Sequence, residues 1–376
     1  MDGCVQYEKE SVFWMKLEGY KVLNERFEFE PLDVEFDEKI TSLSESEDRN
    51  KGYIIPGFVD VHTHGAIGQD FMNFSNTEEY IYYMYSNGIT TFYPTTICAP
   101  IDTLCEAVSV YKDMEVIEGV HIEGPFINVK YKGAHNEQYI YEAYTEALYK
   151  LQEASGGKVK IITVAPEVGQ NMEFIAKAAE MGIHVSLGHT DCDFATACSA
   201  IDAGADHITH LYNAMPPLHH RKSGLVGAAF DKDVFVEIIG DGFHVAPEVV
   251  RLTYKAIGDD RLLLISDSME ATGLSDGEYM LGGIMKVNVV DGMAYVESGA
   301  IAGSTHNIYQ MVKSVNRMGI PIESAVKMAT YTPAKSVGIS DKGIISEGKC
   351  ADLVVLDNNF DVVQTIKNGK TVFSVC

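Results

Sequence analysis

Residues 56–65 have the sequence PGFVDVHTHG, from which the architecture of the rest of the chain can be inferred. Its apolar residues, such as Phe58 and Val61, have high β-propensity, so the run predicts a buried strand. His62 and His64 stand at the end of that strand, and residues two apart on a strand point to the same side. Two neutral imidazoles that converge on one point form half of a metal site. A solvated or hydrogen-bonded histidine pair explains the same pattern unless further ligands arrive at other strand ends.

Strands and helices are predicted to alternate from this stretch onward, as far as about residue 344. The later strands are predicted at 89–96, 116–122, 159–165, 184–187, 207–211, 234–239 and 262–265. Residues 270–302 alternate like a hairpin, and helices at about 304–318 and 322–336 close the run. Eight strands alternating with helices predict an α/β fold of the (β/α)₈ TIM-like barrel type, over residues 54–344.

The two chain ends have a different pattern, since both contain only short strand candidates. The Asn368-Gly369 pair is a strong hairpin signal within the C-terminal segment. Neither end is long enough to bury a core alone. We therefore expect residues 1–53 and 345–376 to meet beside the barrel and to form one small β-sandwich domain.

The composition limits the possible partners of this 376-residue chain. It contains 29 Lys and Arg against 54 Asp and Glu, a net charge of −25. Nucleic acids and anionic membranes require basic surface, so neither is an expected partner. The seven cysteines, which include Cys4 and Cys376, lack CxxC spacing and favour reduced thiols. With no targeting segment and no apolar run of membrane length, we expect a soluble, cytoplasmic protein.

Ionisable side chains recur at the carboxyl ends of the predicted strands, where a barrel presents its active site. They are His62, His64, Glu123, His189, His210, His244 and Asp267. One carboxylate and two imidazoles, here Glu123, His189 and His210, form the ligand pattern of catalytic zinc with water in the open position. Such a metal lowers the pKa of its water toward neutrality.

Two further residues are candidates for the chemistry itself. Asp267, at the end of the eighth strand, is placed to take a proton from that water and pass it to a leaving amine. His135, on the loop after the third strand, is placed to polarise a carbonyl group. Taken alone, Asp267 is better explained as a helix cap or turn residue, and the alternative for His135 is a surface histidine.

One compact basic segment, residues 219–222 (HHRK), stands out in this acidic chain. Arg221 within it suits a phosphate, which a guanidinium group binds in bidentate fashion. Ala302-Gly303-Ser304 is expected to open a helix, where free backbone N–H groups bind an anion or a hydroxyl.

The motifs, taken in chain order, resemble those of the amidohydrolase superfamily, and within it those of the deacetylases of N-acetylated amino-sugar phosphates. They are PGFVDVHTHG, HIEGPF, KGAHN, LGHT, THLYNAM, GDGFHV, SDSM, AGS and GKCADLVVLD, and they span residues 52–357. The resemblance implies a (β/α)₈ barrel with a β-sandwich, a homodimer, and hydrolysis of the acetamide group of a phosphorylated amino sugar.

The resemblance also assigns roles to residues. It implies that Glu123, His189 and His210 bind a divalent metal, zinc or iron, with one or two ions per subunit, and that Asp267 is the catalytic acid and base. It implies that the residues in contact with the substrate are Ala134, His135, Asn213, Ala214, Arg221, Asp241, His244, Ile301, Ala302 and Gly303.

Two departures from the superfamily pattern bear on the metal. The fourth predicted strand has no lysine near its end, only Lys160 at its start, so Glu123 would replace the carbamylated lysine of two-metal relatives. This disfavours dihydroorotases and hydantoinases. Some deacetylases of the family lack the His-x-His pair, whereas this chain keeps His62 and His64, which makes a second metal possible.

Three alternatives remain open at this point. The first is a deacetylase for the galactosamine isomer, because the sequence does not determine the orientation of the C4 hydroxyl that it accepts. The second is a cyclic-amide hydrolase or an aminohydrolase. The third is a metal-free barrel that binds or assembles with other proteins, which the ligand set and Asp267 disfavour.

Overall fold

The computed structural model describes residues 15–47 and 49–375, so Cys4, Cys376 and the first 14 residues of the predicted terminal domain lie outside it. The strands are β1 (Met15–Leu23), β2 (Phe29–Phe36), β3 (Ile40–Glu45), β4 (Tyr53–Pro56), β5 (Phe58–Thr63), β6 (Gly65–Ala66), β7 (Gln69–Asp70), β8 (Ile89–Pro94), β9 (Val120–Glu123), β10 (Val159–Val164), β11 (His184–Leu187), β12 (Ala205–Ile208), β13 (Phe235–Ile239), β14 (Leu262–Ile265), β15 (Gly277–Leu281), β16 (Met285–Val290), β17 (Met293–Val296), β18 (Leu353–Leu356), β19 (Val362–Lys367) and β20 (Lys370–Ser374).

The α-helices mostly follow the strands of the central region. They are α1 (Thr77–Ser86), α2 (Ile101–Ser109), α3 (Thr145–Ala154), α4 (Asn171–Glu180), α5 (Phe194–Asp202), α6 (Gly224–Asp231), α7 (Pro247–Ile257), α8 (Ile308–Arg317), α9 (Ile322–Lys327) and α10 (Tyr331–Ser336). Short 3₁₀ helices occupy Val129–Tyr131 and Glu137–Tyr139.

A curled parallel sheet forms the centre of the protein. Six strands pair in the order β14-β13-β12-β11-β10-β9, and β5 pairs in parallel with β8. A parallel bridge from Thr95 to His121 connects β8 with β9. The backbone N–H of Asp267, just after β14, donates to the carbonyl of His62 on β5 at 2.9 Å. The expected α/β fold is confirmed at this level, with the carboxyl ends of these strands on one side.

The composition of these strands follows from their burial. Helices cover the outer face of the sheet, so its strands are continuous apolar runs rather than alternating ones. All four residues of β14, LLLI, are fully buried. The inner face departs from this pattern on β9 and β13, where His121 and Glu237 are buried among apolar neighbours.

A second sheet combines both chain ends, in the order β20-β19-β18-β4-β1-β2-β3. The link is the antiparallel pairing of β4 with β18, in which Tyr53 lies opposite Leu356. One face encloses a separate apolar cluster that includes Phe36, Ile54 and Leu353. The strands of the two termini do meet beside the central region, and hydrogen bonds join them into one continuous sheet.

Three local predictions need correction. The segment 270–302 forms a three-stranded antiparallel sheet, β15-β16-β17, rather than a hairpin. The single helix expected over 322–336 is two helices, because Pro333 cannot donate to the carbonyl four residues earlier and its ring prevents a continuous helix. The AGS motif does not open a helix either, since α8 begins four residues later at a capping box of Asn307 and Gln310.

Candidate metal centre

Imidazole nitrogens from four different segments surround the carboxylate of Glu123, the last residue of β9. Oε1 of Glu123 lies 3.2 Å from His189 Nε2, 3.1 Å from His210 Nε2 and 3.5 Å from His62 Nε2. Its Oε2 lies 3.2 Å from His64 Nε2 and 3.5 Å from His135 Nε2. All these side chains are nearly or fully buried. Five of the seven strand-end residues of the sequence analysis therefore meet at one point: His62, His64, Glu123, His189 and His210.

Asp267 faces the same point from the end of β14. Its Oδ1 lies 3.1 Å from His64 Nε2 and 3.6 Å from His62 Nε2. The structure therefore places Asp267 beside the candidate ligands His62 and His64.

Hydrogen bonds at the outer ring nitrogens orient the imidazoles. His189 Nδ1 donates to the carbonyl of Tyr131 at 2.8 Å, and His64 Nδ1 donates to the carbonyl of Thr95 at 3.2 Å. A proton at Nδ1 leaves the Nε2 lone pair free to point inward. This outer support is the usual arrangement around metal-binding histidines.

The backbone is strained where three of these side chains are attached. His189, His210 and Asp267 have positive φ angles of 47°, 27° and 47°, which residues with a Cβ adopt rarely. Each such residue costs on the order of 1–3 kcal/mol and persists only where the surroundings enforce it. The strain turns all three side chains away from the strand direction and into the centre.

The chemistry of this donor set fits a divalent cation. His189 Nε2 and His210 Nε2 lie only 3.0 Å apart, so two lone pairs face one another beside a carboxylate. His62 Nε2 is buried and has no hydrogen-bond partner among the described residues. Two combinations, His62–His64–Glu123 and Glu123–His135–His189, bring their donor atoms within 4.8 Å of one another. A cation that accepts these lone pairs removes the repulsion between them.

The low pKa of His189 agrees with this assignment, whereas those of His62 and His64 are raised. Burial lowers the pKa of both residues, but the neighbouring carboxylates outweigh it and raise the pKa of His64 to about 9 and that of His62 well above its ordinary value, so a metal bound there would displace protons. Burial, together with the neighbouring His135 and His210, lowers the pKa of His189 to about 4, so its imidazole is neutral at physiological pH. Burial raises the pKa of Asp267, but the hydrogen bond from His64 and the charges of His62 and His64 outweigh it and hold the pKa below its usual range. Asp267 is therefore ionised and able to accept a proton.

A pocket of about 280 Å³ opens above this cluster. Besides the candidate ligands and Asp267, it is lined by several residues expected at the substrate: Ala134, His135, Asn213, Ala214, His244, Ile301 and Gly303. Its size is near the lower end of the range for small-molecule sites.

Three expected contact residues lie elsewhere. Arg221 is exposed on the loop after β12 and donates to His220 Nε2 at 2.6 Å, outside the lining of the pocket. Ala302 is fully buried, and its N–H already donates to the carbonyl of Ala294. Asp241 binds His244 Nδ1 at 2.6 Å and two backbone N–H groups, so it positions His244 beside the pocket.

Sequence reasoning missed two buried polar residues beneath the cluster, Glu237 and His121. Glu237 Oε2 accepts from His62 Nδ1 at 3.0 Å, and His121 Nε2 contacts the hydroxyl of Thr163 at 2.8 Å. A signal was present for Glu237, since it is the only charged residue of the apolar strand FVEII. The backbone groups that orient the histidines leave no such signal in the sequence.

The strand ends of the curled parallel sheet carry one carboxylate, several inward-facing imidazoles and an ionised aspartate. This arrangement defines a metal-dependent hydrolase. Comparison with known proteins agrees with this class. The model of the amidohydrolase family matches residues 53–372, and the chain belongs to that family. None of the helices in the described ranges is long and apolar enough to span a membrane.

Individual relatives cover most of the chain. It is 36% identical to N-acetylglucosamine-6-phosphate deacetylase of Bacillus subtilis over 335 residues, which are 85% of this chain and 84% of the relative. Among solved structures, the same enzyme from Thermotoga maritima has a TM-score of 0.91 at 35% identity and covers 96% of this chain and 100% of its own. Another solved structure is an aspartate-to-alanine mutant of the Mycobacterium smegmatis enzyme in complex with N-acetyl-D-glucosamine 6-phosphate. It has a TM-score of 0.90 at 32% identity and covers 96% of this chain and 100% of its own.

The Asp241–His244 pair predicts a pH-dependent contribution to stability. Burial lowers the pKa of His244, but its hydrogen bond to Asp241 outweighs burial and raises the pKa above its ordinary value. A raised pKa in the folded state stabilises the protein below the unfolded pKa, about 6.5, and this contribution is lost as the pH rises through the folded value. We expect His244→Gln to lower the urea midpoint more at pH 6 than at pH 9.

His306, whose ring lies 6.0 Å from that of Phe243, provides a control of opposite sign. Burial lowers its pKa, so protonation of this residue favours unfolding. The urea midpoint of His306→Gln, relative to that of the wild type, should therefore be higher at pH 5 than at pH 9. An equal loss at pH 6 and pH 9 for His244→Gln would contradict the assignment of a charged pair.

Proposed function

We propose that this protein hydrolyses the N-acetyl group of N-acetyl-D-glucosamine 6-phosphate to give D-glucosamine 6-phosphate and acetate, a step of amino-sugar catabolism. The observation that carries the proposal is the convergence of Glu123, His189, His210 and Asp267 in one pocket. Relatives that cover most of the chain and carry this enzyme's name support the choice of substrate.

Glu123, His189 and His210 are the proposed ligands of a divalent cation, zinc or iron, with His62 and His64 available to a second ion. When bound, a divalent cation lowers the pKa of water toward neutrality and polarises a carbonyl group. Borderline imidazole nitrogens and one hard carboxylate suit either metal. The number of ions, one or two per subunit, depends on whether His62 and His64 bind a metal of their own.

Asp267 is the proposed proton carrier. Its Oδ1 accepts the proton of the attacking water and then donates it to the amide nitrogen, which is a very poor leaving group while unprotonated. Because its pKa lies below the usual range, Asp267 is ionised before attack and has a free oxygen to accept the proton. His135, whose Nδ1 accepts from the backbone N–H of Cys98 at 3.3 Å, presents Nε2 to the pocket and orients the acetamide carbonyl.

The sugar and its phosphate are proposed to lie toward the rim. Ala134, Asn213, Ala214, Ile301 and Gly303 offer contacts along the wall of the pocket. His244, oriented by Asp241, and Arg221 on the neighbouring loop are the proposed partners of the 6-phosphate. Ala302 is not among the proposed contacts, because it lies outside the lining of the pocket and its N–H is already bonded.

The fold and the assembly of the protein are further parts of the proposal. We propose that β5 and β8–β14 close into one (β/α)₈ barrel over residues 54–344, and that residues 1–53 with 345–376 form the β-sandwich domain. A cytoplasmic homodimer is the proposed state. The alternative substrate is the galactosamine isomer, which differs only at C4, far from the acetamide group.

The central prediction concerns Asp267. We expect the wild type to release acetate and an equal amount of glucosamine 6-phosphate, and Asp267→Asn to lower kcat by at least about 10²-fold. Asparagine keeps the shape and the hydrogen bond to water but cannot carry the proton. Metal content by elemental analysis and substrate binding should stay nearly unchanged.

N-Acetylglucosamine 6-phosphate and N-acetylgalactosamine 6-phosphate should be assayed in parallel, because a faster reaction with the galactosamine isomer would replace the proposed substrate. Wild-type turnover by metal-loaded Asp267→Asn would show that another residue moves the proton. His135→Asn would then be the next variant to test.

A second prediction tests the phosphate site. Arg221→Ala should raise KM for the 6-phosphorylated sugar far more than for N-acetylglucosamine itself, because only the former carries the charge that a guanidinium group binds. Lys222→Ala is the matched control, since it removes the adjacent exposed charge and should affect KM less. Equal losses on both sugars in Arg221→Ala would refute the assignment.

A further inference from the structure

Glu237 is a buried acidic residue that the proposed chemistry does not use. It lies in the middle of β13 and is fully buried between Val236 and Ile238. Burying a carboxylate among apolar residues is costly unless it is paired and hydrogen-bonded. Its side chain therefore requires an explanation beyond packing.

Both hydrogen bonds that the described residues make to the side chain of Glu237 come from candidate metal ligands. Its Oε2 accepts from His62 Nδ1 at 3.0 Å and from the backbone N–H of His210 at 3.2 Å. Its Oε1 has no hydrogen-bond partner in the part of the chain that the structure describes. One carboxylate oxygen thus connects β5, which carries His62, with the strained residue that follows β12.

These contacts determine which nitrogen of His62 faces the centre. The hydrogen bond to Glu237 keeps a proton on Nδ1, so in the neutral ring, the form that binds a metal, the lone pair lies on Nε2. That atom is buried, has no hydrogen-bond partner among the described residues, and lies 3.5 Å from Glu123 and 3.6 Å from Asp267. The hydrogen bond to the backbone N–H of His210 also stabilises the positive φ of 27° at that residue.

We propose that Glu237 is a positioning residue that holds His62 in the metal-binding tautomer and fixes the backbone of His210. With Glu237 in place, His62 and His64 form the second half of the metal centre and are not merely a structural pair of imidazoles. This inference rests on the metal site of the proposed function, and it assigns His62 to the metal through Nε2.

The test measures zinc affinity in the absence of substrate, by competition with a chromophoric chelator on protein stripped of metal. Glu237→Leu removes the acceptor, and we expect zinc binding to weaken by about 10–100-fold, as is usual for loss of an outer-shell partner. Glu237→Gln keeps an oxygen that accepts both hydrogen bonds, so it should restore most of the affinity. Wild-type affinity in Glu237→Leu would overturn the proposal.

A double variant separates positioning from general destabilisation. If Glu237 acts through His62, Glu237→Leu should cost much less in a His62→Asn background than in the wild type. A full additive loss in that background would overturn the proposal. Ser186→Ala is the matched control, because Ser186 is fully buried in the same sheet and, among the described residues, its hydroxyl contacts Thr209 Oγ1, at 2.5 Å, and none of the candidate metal ligands. Its zinc affinity should equal that of the wild type.

A measurement on the unaltered protein keeps the proposal testable if Glu237→Leu does not fold. In ¹⁵N-histidine spectra of the zinc-loaded wild type, the His62 ring, assigned by its loss in His62→Asn, should be protonated at Nδ1 and bound to zinc through Nε2. A ring bound through Nδ1, or not bound, would overturn the proposal. Zinc affinity is measured without deacetylation, so failure of the proposed reaction would leave this result unaffected.

Discussion

The structure depends on one electrostatic constraint at its centre. Several imidazole nitrogens converge on the buried carboxylate of Glu123. Imidazole nitrogens of His62, His64, His189 and His210 lie 3.1–3.5 Å from its oxygens in a buried site. His189 Nε2 and His210 Nε2 lie 3.0 Å apart beside this carboxylate, and a divalent cation is the partner that accepts imidazole nitrogens and a carboxylate oxygen at one point. The low pKa of Asp267 has its origin in the same cluster, because His62 and His64 lie beside its carboxylate.

The scaffold supplies the rigidity that such a cluster requires. Each ligand stands at the carboxyl end of a strand that is buried on both faces, and neighbouring loops orient the rings through carbonyl groups of Thr95 and Tyr131. Positive φ angles at His189, His210 and Asp267 are maintained by that surrounding packing. The strained backbone at these three residues lowers the stability of the fold, but it directs their side chains toward the site of the proposed chemistry.

Much of this arrangement could be predicted because it is local or periodic in sequence. Apolar runs alternating with helical segments indicate the parallel sheet, and the histidines and acids at strand ends indicate the centre. Contacts between distant segments could not be predicted, since no pattern shows that Glu237 reaches His62 or that Ala294 uses the N–H of Ala302. The helix break before Pro333 was readable from that proline alone, whereas the positive φ angles depend on tertiary packing.

The claim that a metal held at Glu123 is required for deacetylation has one direct test. Acetate release from N-acetylglucosamine 6-phosphate is measured on protein stripped with a chelator, with residual metal determined by elemental analysis, before and after zinc or iron(II) is added back. The account predicts loss of activity in proportion to the metal removed and recovery when the metal returns. Undiminished acetate release from protein without metal would contradict it.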